Sequence, residues 1–314
     1  MRDMVSCLSE HAVKVSETTC SSSVSDANIV KDQIPAVRNA VVAMYRTRPM
    51  SSQKPLLITV TWCRNQLGQG GLIIDFGDSN SFKLNTFSRL FRKKKGHKSI
   101  LSDSESDTSK IDIFWDLSGA NYYHSGPEPV DGYYILVSVD ADLALALGDL
   151  AQEAANKRRL MGIWPRTVLI SRREHYSGNT LYCTKAQFCE SAVIHDIVIS
   201  CSTEHHHHHH HHQRQRQERQ PVLYVSIDKK TVIKVGRLQW NFRGNQTVFV
   251  DGLLIDVMWD VHDWFYNQNP GYAVFMFKIR SGGESRLWLE DKFVHNNPHD
   301  SLDFSLLLYA TKNP

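Results

Sequence analysis

The sequence predicts a mainly β protein built from two tandem, internally duplicated antiparallel β modules, sandwich or barrel-like, joined by one short helix. Three observations lead there. Short apolar runs alternating with polar residues recur along most of the 314 residues. Turns bearing Gly or Asn separate several of these runs. One heptapeptide also returns: Ile-Asp-Ile-Phe-Trp-Asp-Leu at 111–117 reappears as Ile-Asp-Val-Met-Trp-Asp-Val at 255–261.

Taken in order, residues 1–35 are rich in Ser, Thr and Asp, lack apolar periodicity, and read as a flexible arm. The first module spans 36–148. At 56–63, Ile58, Val60 and Trp62 share one strand face and Thr59 and Thr61 the other. A turn carrying Gly68, Gly70 and Gly71 leads into a second strand at 71–76, so the two form a hairpin. Strands at 111–117, 132–140 and 142–148 follow. In the first of these, Ile111, Ile113, Trp115 and Leu117 point one way and Asp112, Phe114 and Asp116 the other. The connecting segment 149–164 carries a helix from about Asp149 to Leu160. Asp149 caps it, Gln152 completes a capping box, and Lys157, Arg158 and Arg159 suit its C-terminal end. The second module, 165–314, is again strand upon strand, with Arg-Leu-Trp-Leu-Glu-Asp at 286–291 among them. A disordered His/Gln/Arg-rich loop at 202–220 interrupts it.

The duplication extends upstream of the heptapeptide. Residues 72–92 align without gaps on 223–243, placing Lys83 on Lys234 and Phe91-Arg92 on Phe242-Arg243. Tyr45-Arg46-Thr47-Arg48 matches Tyr182-Cys183-Thr184-Lys185. Downstream, each copy reaches a Gly-Tyr pair, Gly132-Tyr133 or Gly271-Tyr272. Modules of this size suit a sandwich or an up-and-down barrel, and periodicity does not choose between them.

Lys plus Arg is 36 against 33 Asp plus Glu, a balance too even to announce a nucleic-acid or membrane protein by charge. No apolar stretch approaches the roughly 18 residues of a membrane span, and the N-terminus lacks a secretory pattern. The expected setting is cytoplasmic or nuclear, with peripheral membrane association the one membrane role left. Six cysteines without Cys-x-x-Cys or zinc-finger spacing read as reduced thiols, Cys63 and Cys201 as small core residues and Cys7 and Cys20 in the arm. No cofactor is expected.

The strings LLITVTWCRN, FKLNTFSRLFRKKKGHKS, SKIDIFWDLSGANY, SRREHYSGNTLY, SIDKKTVIKV and RLQWNFRGNQTVFVDGLL resemble the land-plant domain-of-unknown-function 868 family. The resemblance covers nearly the whole chain. It implies a plant protein of β-rich fold, with no assigned activity and no catalytic residues to carry over. The tract after Cys201 departs from the family pattern.

Four groups of residues carry candidate chemistry. Asp112 with Asp116, and Asp256 with Asp260, are paired carboxylates of the kind a glycosidase uses as acid and base. Their recurrence beside Trp115 and Trp259 in both copies favours an ion-paired sheet face instead. Arg89, Arg92, Lys93, Lys94, Lys95 and Lys98 form a dense basic run, read as a loop because Gly96 breaks it, that suits anionic lipid headgroups, nuclear import receptors or nucleic-acid phosphate, the plainer alternative being a solvated loop neutralised by its acidic neighbour. Beside it, an acidic loop at 102–109 offers Ser102, Ser104 and Ser106 as phosphosites whose added charge would screen the run. His205, His206, His207, His208, His209, His210, His211 and His212 would bind metals adventitiously, without the fixed geometry of a defined site. His262 between Asp260 and Asp263 lacks a third spaced ligand, and Ser171 with His175 lacks the Gly-x-Ser-x-Gly elbow. The reading is a non-enzymatic binding protein recognising a protein partner or an anionic lipid surface, nucleic acid being disfavoured. A barrel-type cavity for a small apolar or aromatic ligand is its variant, and a carbohydrate-active enzyme using the paired aspartates its rival.

Overall fold

The computed structural model describes residues 36–49, 55–64, 70–77, 81–85, 94–104, 107–122, 126–160, 164–178, 181–189, 193–203, 221–266, 271–280 and 304–311. The first half contains β1 (Val37–Thr47), β2 (Leu56–Arg64), β3 (Gly70–Asp75), β4 (Ser81–Asn85), β5 (Lys95–Ser104) and β6 (Asp107–Asp116). There follow β7 (Asn121–Tyr122), β8 (Pro129–Asp131), β9 (Tyr134–Val139), β10 (Asp142–Leu147) and helix α1 (Ala151–Lys157). The second half holds β11 (Thr167–Ser177), β12 (Leu181–Ala186), β13 (His195–Thr203), β14 (Pro221–Ile227) and β15 (Lys230–Val235). It ends with β16 (Arg243–Val250), β17 (Leu253–Asp260), helix α2 (His262–Tyr266), β18 (Tyr272–Ile279) and β19 (Ser305–Thr311).

One nine-stranded sheet runs β16-β17-β18-β19-β11-β1-β2-β3-β4. Two four-stranded sheets, β10-β9-β6-β5 and β12-β13-β14-β15, complete the layers, and β7 pairs with β8. None of the sheets closes on itself, so the open choice between sandwich and barrel falls to the sandwich. Among the described residues the pairings are antiparallel except β11 with β19, which run parallel.

Directly paired residues share a face of a sheet. Following the pairs across the nine strands gives the row Gly244, Trp259, Phe275, Leu308, Glu174, Val41, Trp62, Leu72 and Leu84. Both four-stranded sheets pack on this face, side by side. Trp62 and Leu72 meet Ile113, Trp115 and Val137 in one core. Trp259, Phe275 and Leu308 meet Ile199, Leu223 and Val225 in the other.

The duplication shows as matched registers. Leu72 faces Leu84 as Leu223 faces Val235, which keeps residues 72–84 in step with 223–235. Buried Thr47 faces Leu56 as buried Thr184 faces Ile197. Gly96 lies opposite Trp115 as Gly244 lies opposite Trp259, and a Cβ on either glycine would collide with the facing indole. The copies enter the molecule with opposite layers. The nine-stranded sheet takes β1–β4 from the first and β16–β19 from the second, and β11 is the strand inserted between them.

Several expectations need correction. Gly96 does not end a loop; it lies inside β5, because Trp115 across the ladder needs the space that a side chain would fill. The register therefore places Lys95-Gly96, three residues after the sequence match Arg92, on Arg243-Gly244. Likewise Trp115 faces Ile135 as Trp259 faces Phe275, so the Gly-Tyr pairs are out of step by one residue. Helix α1 is shorter than expected and has no side-chain N-cap, because the Asp149 carboxylate accepts the Tyr133 amide at 3.2 Å instead. Its Ala151, Ala154 and Ala155 press on Tyr134, Leu136 and Leu143. Neither helix is long and apolar enough to cross a membrane. The arm with Cys7 and Cys20, Gly68, Arg89, Arg92, Lys93, Ser106, the tract from His205 to His212 and residues 286–291 lie outside the described residues.

Candidate functional site

The four motif aspartates come to the same two kinds of contact in both copies. Asp116 pairs with Lys95 at 2.9 Å and accepts the Ser118 amide at 3.0 Å. Asp260 pairs with Arg243 at 2.8 Å and accepts the His262 amide at 3.0 Å. Asp112 accepts the Ser99 hydroxyl and pairs with Lys110 at 3.1 Å, with His97 also at 3.1 Å. Asp256 accepts the Thr247 hydroxyl at 2.6 Å and Arg280 at 2.6 and 3.0 Å. Partial burial pushes the pKa of Asp112, Asp116 and Asp256 up. Hydrogen bonds and cations outweigh it, leaving all three below the ordinary carboxylate range. A glycosidase acid needs a carboxyl held protonated near neutrality. The surroundings of these three favour the ionised form, as suits sheet ion pairs. Trp115 and Trp259 are both core residues.

Of the basic run, Lys94, Lys95 and Lys98 are described and exposed. Lys95 is engaged by Asp116, and the Lys98 ammonium sits 5.6 Å from the Phe82 ring centre. Strands β5 and β6 reach Ser104 and Asp107, so Ser102 and Ser104 lie on strand backbone rather than in a loop.

Sequence reasoning missed a charged cluster in the seam between the two cores. Glu174 is fully buried at the centre of the nine-strand row. It accepts Arg38 at 2.8 Å, Arg172 at 2.6 Å and the Tyr176 hydroxyl at 2.6 Å. Arg172 also reaches Glu128 at 3.0 Å. Burial pushes the Glu174 pKa up, but Arg172 and Arg38 outweigh it and hold the carboxyl below its usual range. The signal was the alternation Arg172-x-Glu174-x-Tyr176, which puts the three on one strand face. Ser171 and His175 fall on the opposite face, where Ser171 meets Ser305 at 3.3 Å and His175 stacks on Tyr309 with ring centres 5.0 Å apart.

A cleft of about 490 Å³ opens along the same seam. Tyr45, Leu145 and Leu147 line it from the side of the first core. Leu169, Phe188 and Phe304 line it from the side of the second. The connection from Trp164 to Ile170 joins the walls, and Trp164 stands 52% exposed. Arg166, Thr167 and Gln187 add polar groups. Burial, reinforced by Glu128 and opposed by Arg172, pushes the Tyr45 phenol up to about 12, so it stays neutral. The volume falls within the roughly 300–1,000 Å³ typical of small-molecule sites. No contiguous motif marks the cleft, since its walls come from segments far apart in sequence.

A sequence-family model described as a plant protein of unknown function (DUF868) matches residues 36–312. No curated protein and no solved structure matches the chain.

Proposed function

Since the chain belongs to this plant family of unknown function, DUF868, its own geometry must supply the reading, and we propose that it is a non-enzymatic binding protein whose site is the seam cleft. The cleft's mixed walls carry the proposal: apolar and aromatic side chains from both cores converge with a few polar groups, the pattern of a ligand pocket. The ligand class is a small apolar or aromatic molecule. This reading puts the site in an open cleft between the two sandwiches in place of a barrel cavity, because the sheets stay open.

The probe is 1-anilinonaphthalene-8-sulfonate, an aromatic anion that fluoresces when taken out of water. Saturable, one-to-one enhancement in the micromolar range is expected. Trp164→Ala and Ile170→Glu should each weaken it tenfold or more while the melting transition persists. Enhancement that neither change affects would remove the cleft from consideration. The alternative site, an anionic surface recognised through Lys94, Lys95 and Lys98, is separated by flotation with phosphatidylserine vesicles. Vesicle binding lost on replacing all three with Gln, in a protein that ignores the dye, would move the function to β5.

A further inference from the structure

The two copies share a scaffold around Trp115 and Trp259, and the second presents three exposed aromatic side chains on it. Trp240 is 75% exposed, Tyr266 53% and Tyr272 49%. Solvent-exposed aromatics gathered at one place mark contact surfaces. Here the segment that presents Trp240 is pinned throughout. Leu238 is fully buried beneath it. The Trp259 indole donates to the Asn241 carbonyl at 3.0 Å, Asn241 donates to the Gly236 carbonyl at 2.9 Å, and the Tyr266 hydroxyl donates to the Gln239 carbonyl at 2.7 Å. Phe242, His262 and Tyr266 form a ring cluster beside it, with centres 5.0 to 6.0 Å apart. A segment pinned this firmly presents the indole from a fixed backbone, so binding has less chain freedom to remove.

The polar rim decides which partner fits. Arg243 pairs with Asp260 at 2.8 Å, His262 bonds Asp263 at 3.0 Å, and the Tyr272 hydroxyl bonds the same Asp263. With Arg237 the rim holds two arginines against two aspartates, so formal charge cancels. A polyanion gains nothing from such a rim, whereas base-stacking nucleic-acid sites pair their aromatics with a positive groove. The complement is a neutral molecule with flat C–H faces for the rings and many hydroxyls for alternating donors and acceptors. We propose that the Trp240–Tyr266–Tyr272 platform binds a neutral oligosaccharide, the pyranose faces stacking on the rings and the hydroxyls meeting Arg243, Asp260 and Asp263. In the first copy Lys95, Asp116 and Ser118 stand where Arg243, Asp260 and His262 do, and Tyr122, 43% exposed, stands where Tyr266 does, while the counterpart of Trp240 lies outside the described residues.

The site is independent of the seam cleft, and the test keeps them apart. The full chain is titrated with cellohexaose, xylohexaose, mannohexaose and laminarihexaose, following tryptophan fluorescence and heat. Polygalacturonate and an octauridylate serve as anionic comparisons. Saturable binding of at least one neutral hexasaccharide is expected, weakened tenfold or more by Trp240→Ala and unchanged by Trp164→Ala in the cleft. Trp240 is exposed, so its replacement should leave the melting temperature unaltered. The proposal is overturned by the absence of binding to all four sugars, by tighter binding of either anion, or by sugar binding that survives both Trp240→Ala and Tyr266→Ala. Flat titrations together with a Trp240-dependent protein partner would assign the platform to protein recognition instead.

Discussion

Glu174 is a carboxylate with no solvent contact, set in the middle of an otherwise apolar row. Its cost is met only because Arg38, Arg172 and Tyr176 converge on it. Glu174→Ala would leave the largely buried Arg38 guanidinium without its carboxylate and Arg172 with Glu128 alone, so a loss of about 3–5 kcal/mol is expected from urea unfolding at pH 7. Its lowered folded pKa gives stability that is complete above the ordinary Glu value of about 4.3 and disappears as pH falls through the folded value. The wild-type unfolding midpoint should therefore drop on acidification more steeply than that of Glu174→Gln. The indoles of Trp115 and Trp259 make the duplicated counterpart. Replacing either with Ala should cost about 3–5 kcal/mol. Gly96→Ala and Gly244→Ala should also destabilise, because the added methyl meets the facing ring. A neutral thermal melt for either glycine variant would contradict the close approach in that copy.

At the level of elements, His195 joins the two layers of the second sandwich. Its Nδ1 meets Asp228 at 2.6 Å, in the β14–β15 turn, and its Nε2 meets Asp251 at 2.8 Å, in the β16–β17 turn. Burial lowers the His195 pKa, but the two carboxylates outweigh it and raise it above the ordinary value. The stabilisation is therefore complete below about pH 6.5 and is lost as pH rises through the folded pKa. We expect roughly 1 kcal/mol, limited because both carboxylates reach solvent, and expect His195→Gln to flatten the change in urea midpoint between pH 6 and 9. Strands such as β2 and β6 were legible in the sequence because one face is core and the other is not, which period two reports directly. The duplication was legible because Ile, Asp, Trp and Asp of the heptapeptide recur in the same order and spacing. Gly96 was misread because glycine's role depends on what faces it across the ladder, and that partner lies nineteen positions away. The Glu174 cluster and the cleft stayed hidden for a related reason: Arg38, Glu128 and Arg172 meet only after β1 and β11 pair, and a charged strand residue read alone resembles a solvated one.

For the whole molecule, the seam is a strand ladder instead of a linker. β11 pairs with β1 along its length and with β19 on its other side, so neither sandwich can lose its share of the sheet without exposing an edge of the other. One calorimetric transition is expected, and two resolved transitions would show the halves to be independent. Residues 36–160 expressed alone should aggregate or remain unfolded, since Val41 and Ala43 would then border an unpaired strand. The same ladder bears on timing. Two lobes on a hinge admit a guest by swinging apart, and their opening rate governs how fast guests come and go. Here β1 and β11 run unbroken beneath the seam, with Leu145–Leu147 of β10 above one half and Gln187–Cys189 after β12 above the other, so no hinge separates the halves and a guest of the proposed site would pass single side chains such as Trp164. Under the proposed function such a gap would sort guests by girth, with residence times set by how well each one fits.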